Sequence, residues 1–404
     1  MNQRQKKDTL VGFNKQVQGI LLNVLKEFFP LDIKANKLDE DLLWTILLYA
    51  ATRCISLEAA CQALSATPSA NRLREHLNEQ FSEQKVQVEE LEKQFNQAFL
   101  AMLPKPVKSR LARSKWEVAG DWTDVCYYGQ MADQEQSIRR SAAKKGTTKF
   151  YSYATLTLID KGQRYTVALT LVKPGERVVE VVKRLLKQAK KLRIKIKLSY
   201  WDKAFGVIEV LRYLKQKTVS YIIALARRGG PGGIKKLCQG RRSHWSWYRF
   251  KSARAGQFKA HVAVVCKYSK KKYKRRGVRY FCYAVYGIGQ LKVQKVFTKY
   301  RRRFGIETAY RQLHQVRIRT AMKNSVVRML FIGLAIIIVN LYVLLRRMVV
   351  AKSKYGTRQR TIKMTLERLA REIKQYIEEL LKVNRDLYCQ NASLYRSFQS
   401  FVIY

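Results

Sequence analysis

The stretch KYRRRFGIETAYRQLHQVRIRT, residues 299–320, carries seven lysines and arginines and one acid, Glu307. Between Glu209 and Glu367 no other carboxylate occurs. A glutamate in such a place is either a surface ion pair, contributing about 0.3–0.5 kcal/mol, or a ligand for a hard cation. Two more acids sit where apolar, strand-like runs end: Asp121 in AGDWTDVCYYG and Asp202 in KLSYWD. In open α/β sheets, ligands bind beyond strand ends, at a switch in strand order. Three carboxylates without cysteine or histidine suit Mg²⁺ or Mn²⁺. Two such ions, about 3.5–4 Å apart, clamp the attacking and leaving oxygens of a phosphodiester. The chemistry on offer is therefore metal-dependent phosphoryl transfer. Bland readings compete with it. Asp124 is an alternative first ligand, Asp121 and Asp124 can polarise a turn, and Asp202 suits the N-cap of the helix that follows it.

The elements that must position these acids follow from periodicity. On a helix, Tyr300, Arg303, Glu307, Arg311 and His314 fall on one face, and Ile306, Ala309, Leu313 and Val316 form a second stripe able to pack on a sheet. From residue 114 the period is two: WEVAGDWTDVCYYG, KFYSYATLTLID and QRYTVALTLVKPG read as strands, with Gly162 turning the second into the third. ERVVEVVKRLLKQAKKLRI then reads as an amphipathic helix, KIKLSYWD as a strand, FGVIEVLRYLKQ as a helix and SYIIALAR as a strand. The order β-β-β-α-β-α-β calls for an α/β mixed sheet flanked by helices. Residues 228–298 read as a β-rich insertion between Asp202 and Glu307, splitting the core into 114–227 and 299–350. Residues 1–113 read as helical, with TPSANRLREHL predicting an N-cap at Thr67 and Pro68 in the first turn. Two short helices there suit a helix-turn-helix or a plain bundle. The tail, 351–404, contains one amphipathic helix.

Composition narrows the partners. The formal charge is +51, from 80 basic and 29 acidic residues in 404. Such an excess repels itself and needs a polyanion, nucleic acid first and an anionic membrane surface second. MLFIGLAIIIVNLYVLL, residues 329–345, is at the short limit for a membrane span and reads better as a buried core helix. Seven cysteines without a C-x-x-C pair argue for a reduced, cytoplasmic protein without structural zinc, and the N-terminal residues show no apolar signal-peptide core. In SHWSWYRF, Trp245 or Trp247 suits stacking on a flipped base, or else an aromatic pair across strands.

These motifs resemble the DDE transposases of bacterial and archaeal insertion sequences, in particular the insertion-sequence-4-like group. AGDWTDVCYYG and YWDKAFGVIEVLRYL are similar to the first two acidic motifs, and YRRRFGIETAYRQLH to the third, Y-x2-R-x3-E-x6-K. Tyr300, Arg303 and Glu307 match its first three positions, whereas His314 stands where the pattern has lysine, with Arg311 one turn after Glu307. The resemblance implies a ribonuclease-H-like core with an N-terminal helical DNA-binding domain. It implies Asp121, Asp202 and Glu307 holding two Mg²⁺ or Mn²⁺ ions, and Tyr300, Arg303, Arg311 and His314 on DNA phosphates. It further implies cut-and-paste action on double-stranded DNA, at terminal inverted repeats and a target, by a homodimer in a synaptic complex with no membrane, with hairpin ends a possible intermediate. A catalytically inactive, transposase-derived DNA-binding protein is the alternative.

Overall fold

The computed structural model describes all residues except 1–2, 34–37, 83–84, 131–136, 228–232, 269–276, 290, 304–311, 349, 356–357 and 385–404. Its centre is a nine-stranded mixed sheet. The strands are β1 (Lys115–Tyr127), β2 (Arg139–Lys144), β3 (Thr147–Asp160), β4 (Gln163–Val172), β5 (Lys195–Trp201), β6 (Tyr221–Leu225), β7 (His244–Ser252), β8 (Gly256–Tyr268) and β9 (Val278–Tyr286). β3, β1, β5, β6, β9, β8 and β7 lie side by side in that order, and β2 and β4 both pair with β3. β1–β5 and β5–β6 are parallel, and the other pairings are antiparallel. Helices Val178–Lys191 and Ile208–Gln216 supply the crossovers on either side of β5. Parallel strands need such long connections, and hairpins do not.

The hairpins have local causes. Lys161 and Gly162 both adopt positive φ, 46° and 83°, between the paired Asp160 and Gln163. That is the two-residue turn whose twist matches the flanking strands. Lys145 and Gly146 repeat the device between β2 and β3. β2 is absent from the sequence expectation because RRSAAK is exposed or half-buried throughout and shows no apolar alternation. The strands of 228–298 join the core sheet, because β9 pairs with β6.

The apolar helix, Ser325–Met348, is among the described residues the one helix long and apolar enough to cross a membrane, and it is buried from Ser325 through Val343. It packs against helix Val88–Ala101 and β4. Gly333 permits the contact: a Cβ there would come within 2.1 Å of Phe95 Cζ. Asn340 interrupts the apolar run for a reason that only the fold shows. Its Nδ2 donates to Thr166 O at 2.9 Å, and its Oδ1 accepts from Thr166 N at 3.0 Å. Asn96 Oδ1 accepts from Leu169 N at 2.8 Å and Glu92 Oε1 from Leu171 N at 2.7 Å. Side chains from two helices thus satisfy the free edge of β4, which would otherwise bury unpaired backbone groups.

One hydrophobic cluster runs from Val17 through the sheet to Ile377, so the helices at both ends share the core. Helix Ala70–Gln80 is capped by Ser69, whose hydroxyl accepts from Arg72 N at 3.3 Å. The predicted cap at Thr67 is displaced because the Thr67 hydroxyl is oriented toward the preceding helix, where Cys61 O and Leu64 O accept from it. The tail adds an unpredicted hairpin, Val350–Tyr355 with Arg358–Lys363, before helix Leu366–Leu381. Replacing Asn340 by leucine makes the helix more apolar yet strands Thr166 N and O. We expect a loss of about 1–3 kcal/mol, read from urea unfolding midpoints. An unchanged or raised midpoint would refute the edge-capping role.

Candidate active site

β1 and β5 run parallel with Gly120 opposite Trp201. The Trp201 ring lies over Gly120, where a Cβ would meet Cζ3 at 2.1 Å. Only glycine lets the two backbones and this ring share the space. One residue beyond that pair on each strand stand Asp121 and Asp202, and both reach Arg303: Nη2 lies 3.0 Å from Asp121 Oδ1 and 3.4 Å from Asp202 Oδ1. Arg303 is 2% exposed and Asp121 is also buried.

The turn that carries the guanidinium is itself anchored by several contacts. Helix Val293–Arg301 ends just before it, and Arg302 N and Arg303 N donate to Lys299 O and Tyr300 O in a tight closing turn. Tyr300, in the last helical turn, is buried against Tyr283 and donates its hydroxyl to Trp201 O at 3.2 Å. Arg302 Nη1 reaches both oxygens of Glu117, at 3.0 and 3.1 Å, and Tyr200 donates to the same carboxylate at 3.0 Å. Arg164 donates to Arg302 O at 2.7 Å. Two consecutive arginines therefore pin the turn to β1, through Glu117 and Asp121, which share a strand face.

The predicted single helical face from Tyr300 to His314 is not continuous. The helix stops at Arg301, because Tyr300 and Arg303 both commit to the interior and the chain must turn to bring them there. Glu307 and Arg311 lie outside the described residues. His314 is in a short helical turn, 312–315, and its carbonyl accepts from Cys54 Sγ at 3.2 Å. Burial, then Arg317 and Lys145, push the His314 pKa below the ordinary imidazole value. Trp245 and Trp247 lie on β7, five strand positions from β1, or about 24 Å of sheet. They sandwich His261 at 4.4 and 4.8 Å. Trp247 is 62% exposed, with Lys259 Nζ 5.2 Å from its ring centre.

Asp202 and Asp124 each have a competing reading. Asp202 stands at the N-cap position of the turn Lys203–Phe205 but makes no side-chain cap bond; it faces Arg303 instead. Asp124 is committed elsewhere, accepting from Lys144 Nζ at 2.6 Å, Ser152 Oγ at 2.7 Å and Trp122 Nε1 at 2.9 Å. Burial alone would raise its pKa, and those donors hold it below the usual carboxylate range. Strand alternation also puts Asp124 on the opposite face from Asp121. Glu117 and Arg302 escaped the sequence reading. The one available signal was the even spacing of Glu117 and Asp121.

Burial raises the Asp121 pKa to about 6, against Arg303 and the Trp122 N–H, which lower it, while Asp202 raises it further. Burial opposes the Arg303 cation, yet Tyr300, Asp121 and Asp202 keep its pKa above the ordinary value. Among the described residues no three His, Cys, Asp or Glu side chains converge on one point. The pair that does converge offers hard oxygen donors that already bracket one cationic group. That donor chemistry fits a divalent cation such as Mg²⁺.

The family model described as the transposase DDE domain matches residues 113–341. This is more than half of the chain, which therefore belongs to that family. Among solved structures, the fold is similar to piggyBac transposase in a cryo-EM structure of its synaptic complex with hairpin DNA. The TM-score is 0.51 at 9% identity, over 95% of this chain and 82% of that one. No curated protein sequence matches.

The charges predict titration shifts of known sign. Removing Arg303, as Arg303→Gln, takes away a cation that lowers the Asp121 pKa, so its midpoint rises above about 6. Asp202→Asn takes away an anion that raises it, so the midpoint falls. Carboxyl ¹³C shifts of labelled protein against pH read both, and equal midpoints in all three proteins would exclude the coupling. A folded-state pKa above the unfolded value gives stability that is full below about pH 4 and lost as pH rises through about 6.

Proposed function

We propose that this chain is a transposase that cuts DNA at the terminal inverted repeats of its own insertion sequence and joins the freed ends to a target. The observation that carries the reading is the convergence of Asp121 and Asp202, from adjacent parallel strands, on one buried cation site. Asp121, Asp202 and Glu307 would hold Mg²⁺ or Mn²⁺. When bound, two such ions supply charge neutralisation at the phosphodiester and activation of the attacking oxygen. The chain's own residues do the positioning. Arg303 keeps the two carboxylates together, Tyr300 ties the turn to the end of β5, and Arg302 with Glu117 fixes that turn to β1.

The formal charge of +51 supports a DNA duplex as partner. Exposed Trp247, with a lysine at its ring, suits stacking on an unpaired base, as a hairpin-forming mechanism would require. The insertion-sequence-4-like assignment rests on the Y-x2-R-x3-E pattern of Tyr300, Arg303 and Glu307. Action on two ends calls for a homodimer, and the cytoplasm is the expected compartment.

Labelled duplexes carrying the repeats that flank the gene, incubated with Mg²⁺ or Mn²⁺, test this directly. We expect wild type to cut at the repeat boundary. Asp202→Asn and Glu307→Gln should lose about a thousandfold in rate, the scale of several kcal/mol of metal-assisted stabilisation, with DNA affinity kept. Binding by all three proteins with no cutting by any would establish the inactive DNA-binding alternative. A separate expectation concerns Trp247→Ala. Single-stranded DNA affinity should fall roughly 5- to 150-fold, for about 1–3 kcal/mol of stacking. Fluorescence anisotropy reads it, and unchanged affinity would leave Trp247 only the cross-strand stack.

A further inference from the structure

A cavity of about 400 Å³ is lined by residues of β1, β2, β3 and helix Ser325–Met348. Its floor includes Tyr153, which lies opposite Thr123 across β3 and β1, two residues along β1 from Asp121. Asp124, Val125 and Cys126 of β1 also line it. Phe331 and Ile332 of helix Ser325–Met348 give it an apolar wall, and Lys145 and Arg317 a basic one.

Two polar groups in this cavity are buried without a hydrogen-bond partner: Tyr153 Oη and Arg317 Nη1. Tyr153 is fully buried, at 0% exposure. Leaving a donor buried and unsatisfied is costly, and Arg317, itself half-buried, has one such donor on a charged group. The neighbouring groups do not relieve either. Arg328 already donates to Met322 O and Thr320 O and lies over the rings of Tyr151 and Tyr127. Among the described lining residues the one carboxylate is Asp124, whose oxygens are taken by Lys144, Ser152 and Trp122. The cavity therefore holds donors and cations in excess of acceptors. Burial, with Arg328 adding repulsion, pushes the Arg317 pKa down, as expected of a guanidinium lacking its anion.

We infer that this cavity is a binding site for a phosphate group, with Arg317 and Tyr153 as its donors, and that the phosphate belongs to a nucleotide of a DNA strand. The volume is in the range of about 300–1,000 Å³ usual for small-ligand sites, and the apolar wall of Phe331 and Ile332 suits a sugar or base. The phosphate site follows from the unpartnered donors alone. Its assignment to DNA rests on the transposase reading.

The test uses the full chain, inorganic phosphate and a 5′-phosphorylated dinucleotide, with thermal unfolding and calorimetric titration at constant ionic strength. Tyr153→Phe is the informative variant because it keeps the ring and removes only the unpartnered hydroxyl. Without phosphate we expect it to melt no lower than wild type. With either ligand we expect at least a fivefold loss of affinity, and at least tenfold for Arg317→Gln. A lower melting temperature of phosphate-free Tyr153→Phe, or equal phosphate affinity in wild type and both variants, would overturn the site. Tighter binding of the dinucleotide than of inorganic phosphate supports the DNA assignment. Equal binding keeps the site and overturns that assignment in favour of free phosphate. None of these readouts requires strand cleavage, so failure to cut DNA and failure of this site are separable.

Discussion

A buried guanidinium between two carboxylates is the constraint on which the rest of this molecule depends. Asp121 and Asp202 come from adjacent parallel strands, and two carboxylates held close resist being ionised together. Arg303 resolves the conflict from within the fold. Buried ion pairs of this kind are weak sources of net stability, since desolvation consumes most of the attraction. Their effect is to exclude alternatives. If the β1–β5 register slipped by one residue, Asp202 would lose its place beside Asp121 and Trp201 its seat over Gly120. If the turn after Arg301 were displaced, Tyr300 would release Trp201 O and Arg302 would release Glu117. The same contacts that define the site therefore define the sheet.

How much of this could be read beforehand depended on whether the signal was local. β1, β3, β4, β5 and β6 announce themselves because each buries most of its length and carries β-branched or aromatic residues. Asp121 and Asp202 stood out because an acid in a buried strand, or directly after one, needs a reason. Arg303 was legible through its spacing from Tyr300. What stayed hidden shares a cause. β2 is a polar edge segment stabilised by its turn and by pairing with β3. The merging of β9 with β6 is a pairing decision that no single segment encodes. Glu117 and Arg302 meet across 185 residues of chain, and nothing in either neighbourhood points to the other. Asn340 looked like a flaw in an apolar helix, and its purpose lies 174 residues away at Thr166.

The helical reading of Tyr300 through His314 shows where periodicity misleads. The spacing is compatible with one face of a helix, but Tyr300 and Arg303 are both buried, and the described helix ends between them. A spacing of three residues fits a closing turn as well as a continuing helix. What decides is which carbonyls the following N–H groups find, and here Arg302 N and Arg303 N find those of Lys299 and Tyr300. Tertiary anchoring of the two side chains overrides the local pattern.

The charge balance follows from the same economy of acids. Many of the buried or half-buried carboxylates described are committed to the fold: Glu117 to Arg302, Asp124 to Lys144, Glu92 to the edge of β4, Glu176 to Arg184 and Asp160 to Arg110. These acids neutralise internal cations and backbone donors, and they leave the excess of lysine and arginine unanswered. Short exposed pairs such as Lys93–Glu90 contribute little against a formal charge of +51. A chain built this way lowers its self-repulsion most effectively by binding a polyanion, because each phosphate contact removes a repulsive term and releases a condensed counterion. Arg317 carries that logic below the surface: it is a half-buried cation whose Nη1 is buried without a hydrogen-bond partner, in a fold that pairs so many of its buried charges.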